Sequence, residues 1–102
     1  MKQYPVVWRP KARSSLLALY DWIAEQADPE TAFEYTSKIE AHAAKLANFP
    51  ERGTPRDDLV SGLRTMPYRR RTIIAYRVFD DEVEILRVIH GGMDLNGVFG
   101  ME

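Results

Sequence analysis

The pair Asp28-Pro29 separates two apolar stripes of helical period, and no other feature of the chain restricts its fold as much. Before it, Leu16, Leu19, Tyr20, Ile23 and Ala27 recur at three- and four-residue spacing. That spacing predicts a helix from about Lys11 to Gln26, with Pro10 suited to its first turn. Leu17 and Trp22 flank the stripe and widen it. After the break, Ala32, Tyr35, Ile39, Ala43 and Leu46 form a second stripe, with Phe33 and Thr36 beside it. Asp28 can accept hydrogen bonds from the free amides of the new helix, and Pro29 at its first position sacrifices none. The second helix should stop near Phe49-Pro50, because a residue before proline is pushed out of the helical region. With so short a link, the two helices are expected to form an antiparallel hairpin.

The remaining elements supply the layer that such a hairpin packs against. Val6-Val7-Trp8, after Pro5 and before Arg9-Pro10, reads as a short strand. Glu51 to Gly62 is polar, contains Gly53, Pro55, Asp57 and Asp58, and reads as a loop. Three strands follow: Leu63 to Met66, with Pro67 marking its end or an edge, then Arg71 to Phe79, then Glu82 to His90. Asp80-Asp81 makes the turn between the last two. Alternation along the final strand places Val83, Ile85, Arg87 and Ile89 on one face, and Glu84, Leu86, Val88 and His90 on the other. A strand apolar on both faces is a central one. The order β-α-α-β-β-β predicts an α+β domain, a helical hairpin on one face of a small, mostly antiparallel sheet. At 102 residues the chain suits one domain over positions 1–102. Its glycine-rich tail, from about 91 to 102, has too little helical pattern for a helix, although Leu95, Val98 and Phe99 are suited to anchor it.

Charge is unevenly spread, although the formal net charge is only −1. From Asp21 to Glu40 the acids are Asp21, Glu25, Asp28, Glu30, Glu34 and Glu40, against Lys38 alone. Arg64, Arg69, Arg70, Arg71 and Arg77 lie between Ser61 and Phe79 with no acid among them. Such asymmetry is consistent with two faces that have different partners, or with acidic helix surfaces and one basic hairpin arising by chance. The absence of cysteine excludes a disulfide framework and a thiolate metal site. There is no phosphate-cradling glycine loop and no histidine pair at metal spacing, so neither cofactor nor metal is expected. His42 reads as a packing or surface residue of the second helix. The start, Met1 to Arg9, lacks the apolar run of a signal peptide, and no segment is long enough to span a bilayer. A cytoplasmic protein without membrane contact is the expectation.

Several stretches, in order along this framework, resemble one family. They are Ala12-Arg13 followed by Leu16, Tyr20 and Ile23; Leu46-Ala47-Asn48-Phe49-Pro50-Glu51-Arg52-Gly53; and Gly62-Leu63-Arg64 followed by Pro67. Ile74-Ala75-Tyr76-Arg77-Val78 and Val83 to Gly91, with Asp94 after it, complete the set. Together they resemble ParE-like toxins of the RelE/ParE superfamily, from about Val6 to Leu95. One departure is Met93, where relatives usually carry a basic or polar residue, so a charge-based role there is in doubt.

The resemblance implies three alternatives. In the first, the chain is the toxin of a type II toxin–antitoxin pair that inhibits DNA gyrase by binding it. A ParD-like antitoxin neutralises it, and DNA enters only indirectly, through gyrase or the antitoxin. Trp8, Trp22 and Tyr35 are then candidate anchors for partners, and Arg64, Arg69, Arg70 and Arg71 candidate contacts for carboxylate or phosphate. In the second, it is a ribosome-dependent mRNA endonuclease of RelE type. That reaction requires an activated 2′-hydroxyl, stabilised phosphorane charge and a protonated leaving oxygen. The residues available are Arg64, Arg71, Arg77, Arg87 and His90, with Tyr76 the last tyrosine in the chain. Lysines occur only at Lys2, Lys11, Lys38 and Lys45, outside the expected sheet, and arginine is a poor base. The reading favoured for His90 is a residue that caps or orients the last strand and tail, paired with Asp94. The third alternative is an inactive toxin-fold binding module or co-repressor.

Overall fold

In the computed structural model, which describes residues 2–91 and 95–99, the Asp28-Pro29 break is a capped restart. The Asp28 carboxylate accepts the Thr31 amide at 2.7 Å, and this amide holds its pKa below the ordinary carboxylate value. The break separates α1 (Pro10–Gln26) from α2 (Pro29–Ala44), which pack against each other. α2 ends before Phe49-Pro50 because a turn of 3-10 helix, Lys45–Ala47, continues the chain and keeps Leu46 in the core. The buried stripe is also narrower than the pattern suggested. Ala12, Leu19, Ala32, Ile39 and Ala43 are buried, whereas Leu17, Trp22, Phe33 and Ala27 are exposed.

The hairpin covers one face of a five-stranded sheet of order β1-β5-β4-β3-β2. The strands are β1 (Val6–Trp8), β2 (Thr54–Pro55), β3 (Leu63–Tyr68), β4 (Thr72–Phe79) and β5 (Glu82–His90). β1 runs parallel to β5, with Val6 opposite Val83, and the other pairings are antiparallel. β2 lies inside the stretch expected to be only loop, pairing Thr54 with Thr65 and Pro55 with Arg64. β3 continues through Pro67 to Tyr68, because the outer side of β3 is unpaired beyond Thr65 and asks no amide of proline. Asp80 and Asp81 close the β4–β5 hairpin with φ of 54° and 63°, as a two-residue turn twisted to match the strands requires.

Alternation along β5 breaks at Leu86. Tyr76 pairs with Ile85 while Ala75 pairs with Arg87, so Leu86 has no partner and the strand bulges. One extra residue reverses which face every later side chain takes. Val83, Ile85 and Val88 therefore pack in the core beneath the helices, while Leu86 and Ile89 pack on the far face. This corrects the strict alternation, which put Ile89 with Val83 and Val88 with Leu86. The Val88 amide donates to Ser15 Oγ at 2.9 Å, and Ser15 in turn donates to the Ala12 carbonyl at 2.8 Å. A helix side chain thus satisfies a strand amide next to the irregularity, and α1 is fastened to β5 there.

The far face is not bare. Leu63, Ala75 and Ile89 form a second buried cluster, with Leu59, Val60, Ile73 and Leu86 against it. Leu95, Val98 and Phe99 pack there too, and they belong to a short helix, α3 (Leu95–Phe99). The tail is therefore helical at 95–99, contrary to its weak pattern. Five residues are too few to form a helix by propensity, so contact with the sheet has to supply the stabilisation.

Tyr76, fully buried in β4, ties the sheet to the loop after the helices. Its hydroxyl donates to the Pro50 carbonyl at 2.8 Å and accepts the Gly53 amide at 2.9 Å. Burial raises its pKa. A Cβ at Gly53 would lie 2.5 Å from that hydroxyl and 2.9 Å from the Thr65 carbonyl, so only glycine fits. Tyr76→Phe strands both loop groups, and the expected loss is about 1–3 kcal/mol of unfolding free energy. Urea denaturation followed by circular dichroism checks this; an unchanged midpoint would show that the two bonds contribute nothing.

Candidate partner-binding site

The β3–β4 turn consists entirely of charge. Tyr68 pairs with Thr72, so Arg69, Arg70 and Arg71 alone reverse the chain, with Arg69 at φ 58°. All three are exposed. Arg69 folds over the Tyr68 ring, 5.5 Å from its centroid, and its Nε donates to Tyr68 Oη at 3.3 Å. Arg70 and Arg71 have no ion pair among the described residues. Arg71 is positioned through its backbone, since its carbonyl accepts the Gly91 amide at 3.0 Å. Gly91 turns the chain out of β5 at φ 64°, a conformation that favours glycine.

Beside this turn lies a groove of about 510 Å³, lined by Leu19, Trp22, Ile23, Tyr35, Arg71, Thr72, His90 and Gly91. Trp22 is 53% exposed, with its ring centroid 5.5 Å from that of His90 and the planes at 44°. Tyr35 Oη lies 2.9 Å from Thr72 Oγ1, and its ring meets Tyr68 edge-on at 5.6 Å. The β5 bulge helps build this groove, because after it the register sets His90 opposite Thr72 on the helix side. Under the turn, His42 Nε2 is 3.3 Å from the Pro67 carbonyl and its ring 5.2 Å from Tyr68. Burial lowers the His42 pKa.

The partner-binding candidates divide accordingly. Trp22, Tyr35 and Arg71 line the groove, and Arg70 and Arg69 continue along the turn. Trp8 instead packs half-buried against the main core. Arg64 donates to the carbonyls of Glu51 at 3.0 Å and Gly53 at 2.8 Å, so it holds the loop that Tyr76 also holds.

The ribonuclease candidates are not gathered. Arg71 and His90 share the groove, and Arg64 is bound to the loop. Arg77 Nε donates to Glu84 at 2.6 Å, while Arg9 holds the other carboxylate oxygen. Arg87 lines a different groove, of about 560 Å³, with Lys11, Leu86 and Phe99. Tyr76 is buried with its hydroxyl occupied on both sides. Asp94 and Met93 lie outside the described residues. Thr72 and Glu84 were not singled out from sequence. An acid within an apolar central strand was the available signal for Glu84; nothing local marked Thr72.

Among the described residues no helix is long and apolar enough to cross a membrane, and no group of three or more His, Asp or Glu is placed to hold a metal ion. A family model described as the ParE toxin of the type II toxin–antitoxin system parDE matches residues 6–95. The chain is 32% identical to Toxin ParE3 of Caulobacter vibrioides over 78 residues, covering 76% of this chain and 77% of that one. Among solved structures, it resembles a chain of the chromosomal ParDE toxin–antitoxin system from P. aeruginosa. The TM-score is 0.76 at 28% identity, over 86% of this chain and 96% of the other. A chain of the toxin–antitoxin complex RelBE2 from Mycobacterium tuberculosis gives 0.66 at 26% identity, over 91% and 97%.

Glu84 yields a pH test. Its side chain is 4% exposed, and the hydrogen bonds from Arg9 and then Arg77 lower its pKa from the ordinary 4.5. A depressed carboxylate stabilises the fold fully above its unfolded pKa, and that contribution is lost as pH falls through the folded value. Stability should therefore decline from about pH 4.5 downward. Glu84→Gln should cost about 1–3 kcal/mol at neutral pH, below the loss for fully buried pairs because the arginines are 43% and 37% exposed. The variant should also show a flatter acid limb in thermal melts from pH 3 to 7. Parallel curves for the two proteins would remove Glu84 as the source.

Proposed function

Because this chain belongs to the ParE toxin family of type II toxin–antitoxin systems, we propose that it inhibits DNA gyrase by binding, without catalysing a reaction of its own. The observation that carries this reading is the turn Arg69-Arg70-Arg71, exposed and without ion pairs among the described residues, beside a groove containing a half-exposed tryptophan. Exposed arginine and aromatic side chains are the groups that most often dominate binding energy at interfaces. Arginine also meets carboxylate or phosphate in paired hydrogen bonds, which suits an acidic protein surface or DNA held on it.

The same reading assigns other parts of the molecule. The cations a ribonuclease would need are distributed rather than convergent, and Arg64, Arg77 and Tyr76 already hold the fold together. A ParD-like antitoxin is the second partner, in keeping with the toxin–antitoxin complexes whose chains this one resembles. It acts as a single toxin domain in the cytoplasm, where gyrase works.

Purified protein added to gyrase and relaxed plasmid should abolish supercoiling and accumulate cleaved DNA. Replacing Arg70 and Arg71 together by alanine should raise the concentration needed by about tenfold, the effect of about 1.4 kcal/mol. Full supercoiling at saturating toxin would overturn the proposal. Cleavage of ribosome-bound mRNA would favour the endonuclease instead, and harmless accumulation of folded protein in cells would favour a binding module.

A further inference from the structure

The groove between α1 and the ends of β4 and β5 combines features seldom needed for one protein side chain. One wall is aromatic, with Trp22 tilted against His90 and half its surface open. The floor is aliphatic, from Leu19 and Ile23. The hydroxyls of Tyr35 and Thr72 stand together at 2.9 Å; Thr72 is buried, so the half-buried Tyr35 hydroxyl is the one left to meet a ligand. At the mouth is Arg71, without an ion pair among the described residues, and Arg70 follows on the turn. A flat ring with polar edges, attached to a chain of negative charges, matches all of these at once. Proteins that hold single strands pair an aromatic surface for bases with a cationic track for phosphates in this way.

We propose that this groove receives an unstacked base of single-stranded DNA against Trp22, with the adjoining phosphates on Arg71 and Arg70. A glutamate or aspartate side chain would satisfy Arg71, but its short aliphatic stem would leave most of a space of about 510 Å³ and the indole face uncovered. DNA, which the sequence introduces only through gyrase or the antitoxin, is thus touched by this chain itself. The inference rests on the gyrase reading only for where such DNA is met, at the strands that gyrase opens.

The test is fluorescence anisotropy of the full chain with a labelled oligo-dT of about ten nucleotides, without gyrase. Binding should weaken as salt rises, with a log–log slope of about 0.7 for each phosphate neutralised, and Arg71→Gln should lower that slope by about 0.7. Trp22→Ala should weaken binding about tenfold, whereas Trp22→Phe, which keeps a ring, should largely restore it. Trp8 is the other tryptophan and packs half-buried against the main core, so its fluorescence in the Trp22 variants reports an intact fold. Equal affinity of Trp22→Ala and the unaltered protein would overturn the proposal. So would absent oligonucleotide binding alongside capture of an oligo-glutamate peptide, which would assign the groove to a protein. Gyrase inhibition without oligonucleotide binding would end this inference and leave the gyrase reading standing. The converse result would support the groove and count against gyrase.

Discussion

The arrangement of this molecule depends on one unpaired residue in its central strand. Had β5 kept regular alternation past Leu86, Val88 would point away from the helices and Ile89 toward them. The strand would still be apolar on both faces, but His90 would turn away from Trp22 and the groove would lose a wall. A bulge costs part of the local ladder, and Ser15 of α1 offsets this by accepting the Val88 amide. Helix position and strand register are therefore coupled: each helps specify the other.

The cations fall into two groups by what surrounds them. Arg9 and Arg77 converge on a buried carboxylate, and Arg64 satisfies two loop carbonyls. Those groups are tied to the fold, so their substitution would confuse stability with function. Among the described residues, Arg70 and Arg71 have no ion pair and are placed by the backbone of a three-residue turn. Their substitution would therefore leave these fold contacts in place.

Much of the fold was legible because it follows from spacing. Asp28-Pro29 carried its cap and restart in two letters, and the helix stripes and the Asp80-Asp81 hairpin were placed from local pattern alone. What the pattern could not carry was any feature set by tertiary contact. The bulge needs Ser15, far away in sequence, and α3 needs the back of the sheet. β2 is held by pairing over only two residues, too short a strand to announce itself. In the candidate site, Trp22 and Arg71 were visible as types suited to binding, and their shared groove depended on how β4 and β5 end. The dispersal of the ribonuclease set was equally hidden, since residues spaced alike along strands fell on different faces.

The parallel pairing of β1 with β5 sets a timetable. Val6 precedes both helices in the chain, and its neighbour Val83 follows them and three further strands. Chains emerge N-terminus first, and contacts between such distant segments form only after a costly closure of the intervening chain. A nascent fragment ending before β5 holds the helical hairpin without its central strand, and neither the groove nor the second cluster exists. For a toxin this means that the toxin fold is incomplete until β5 has been made, so an antitoxin already present has that interval in which to be waiting.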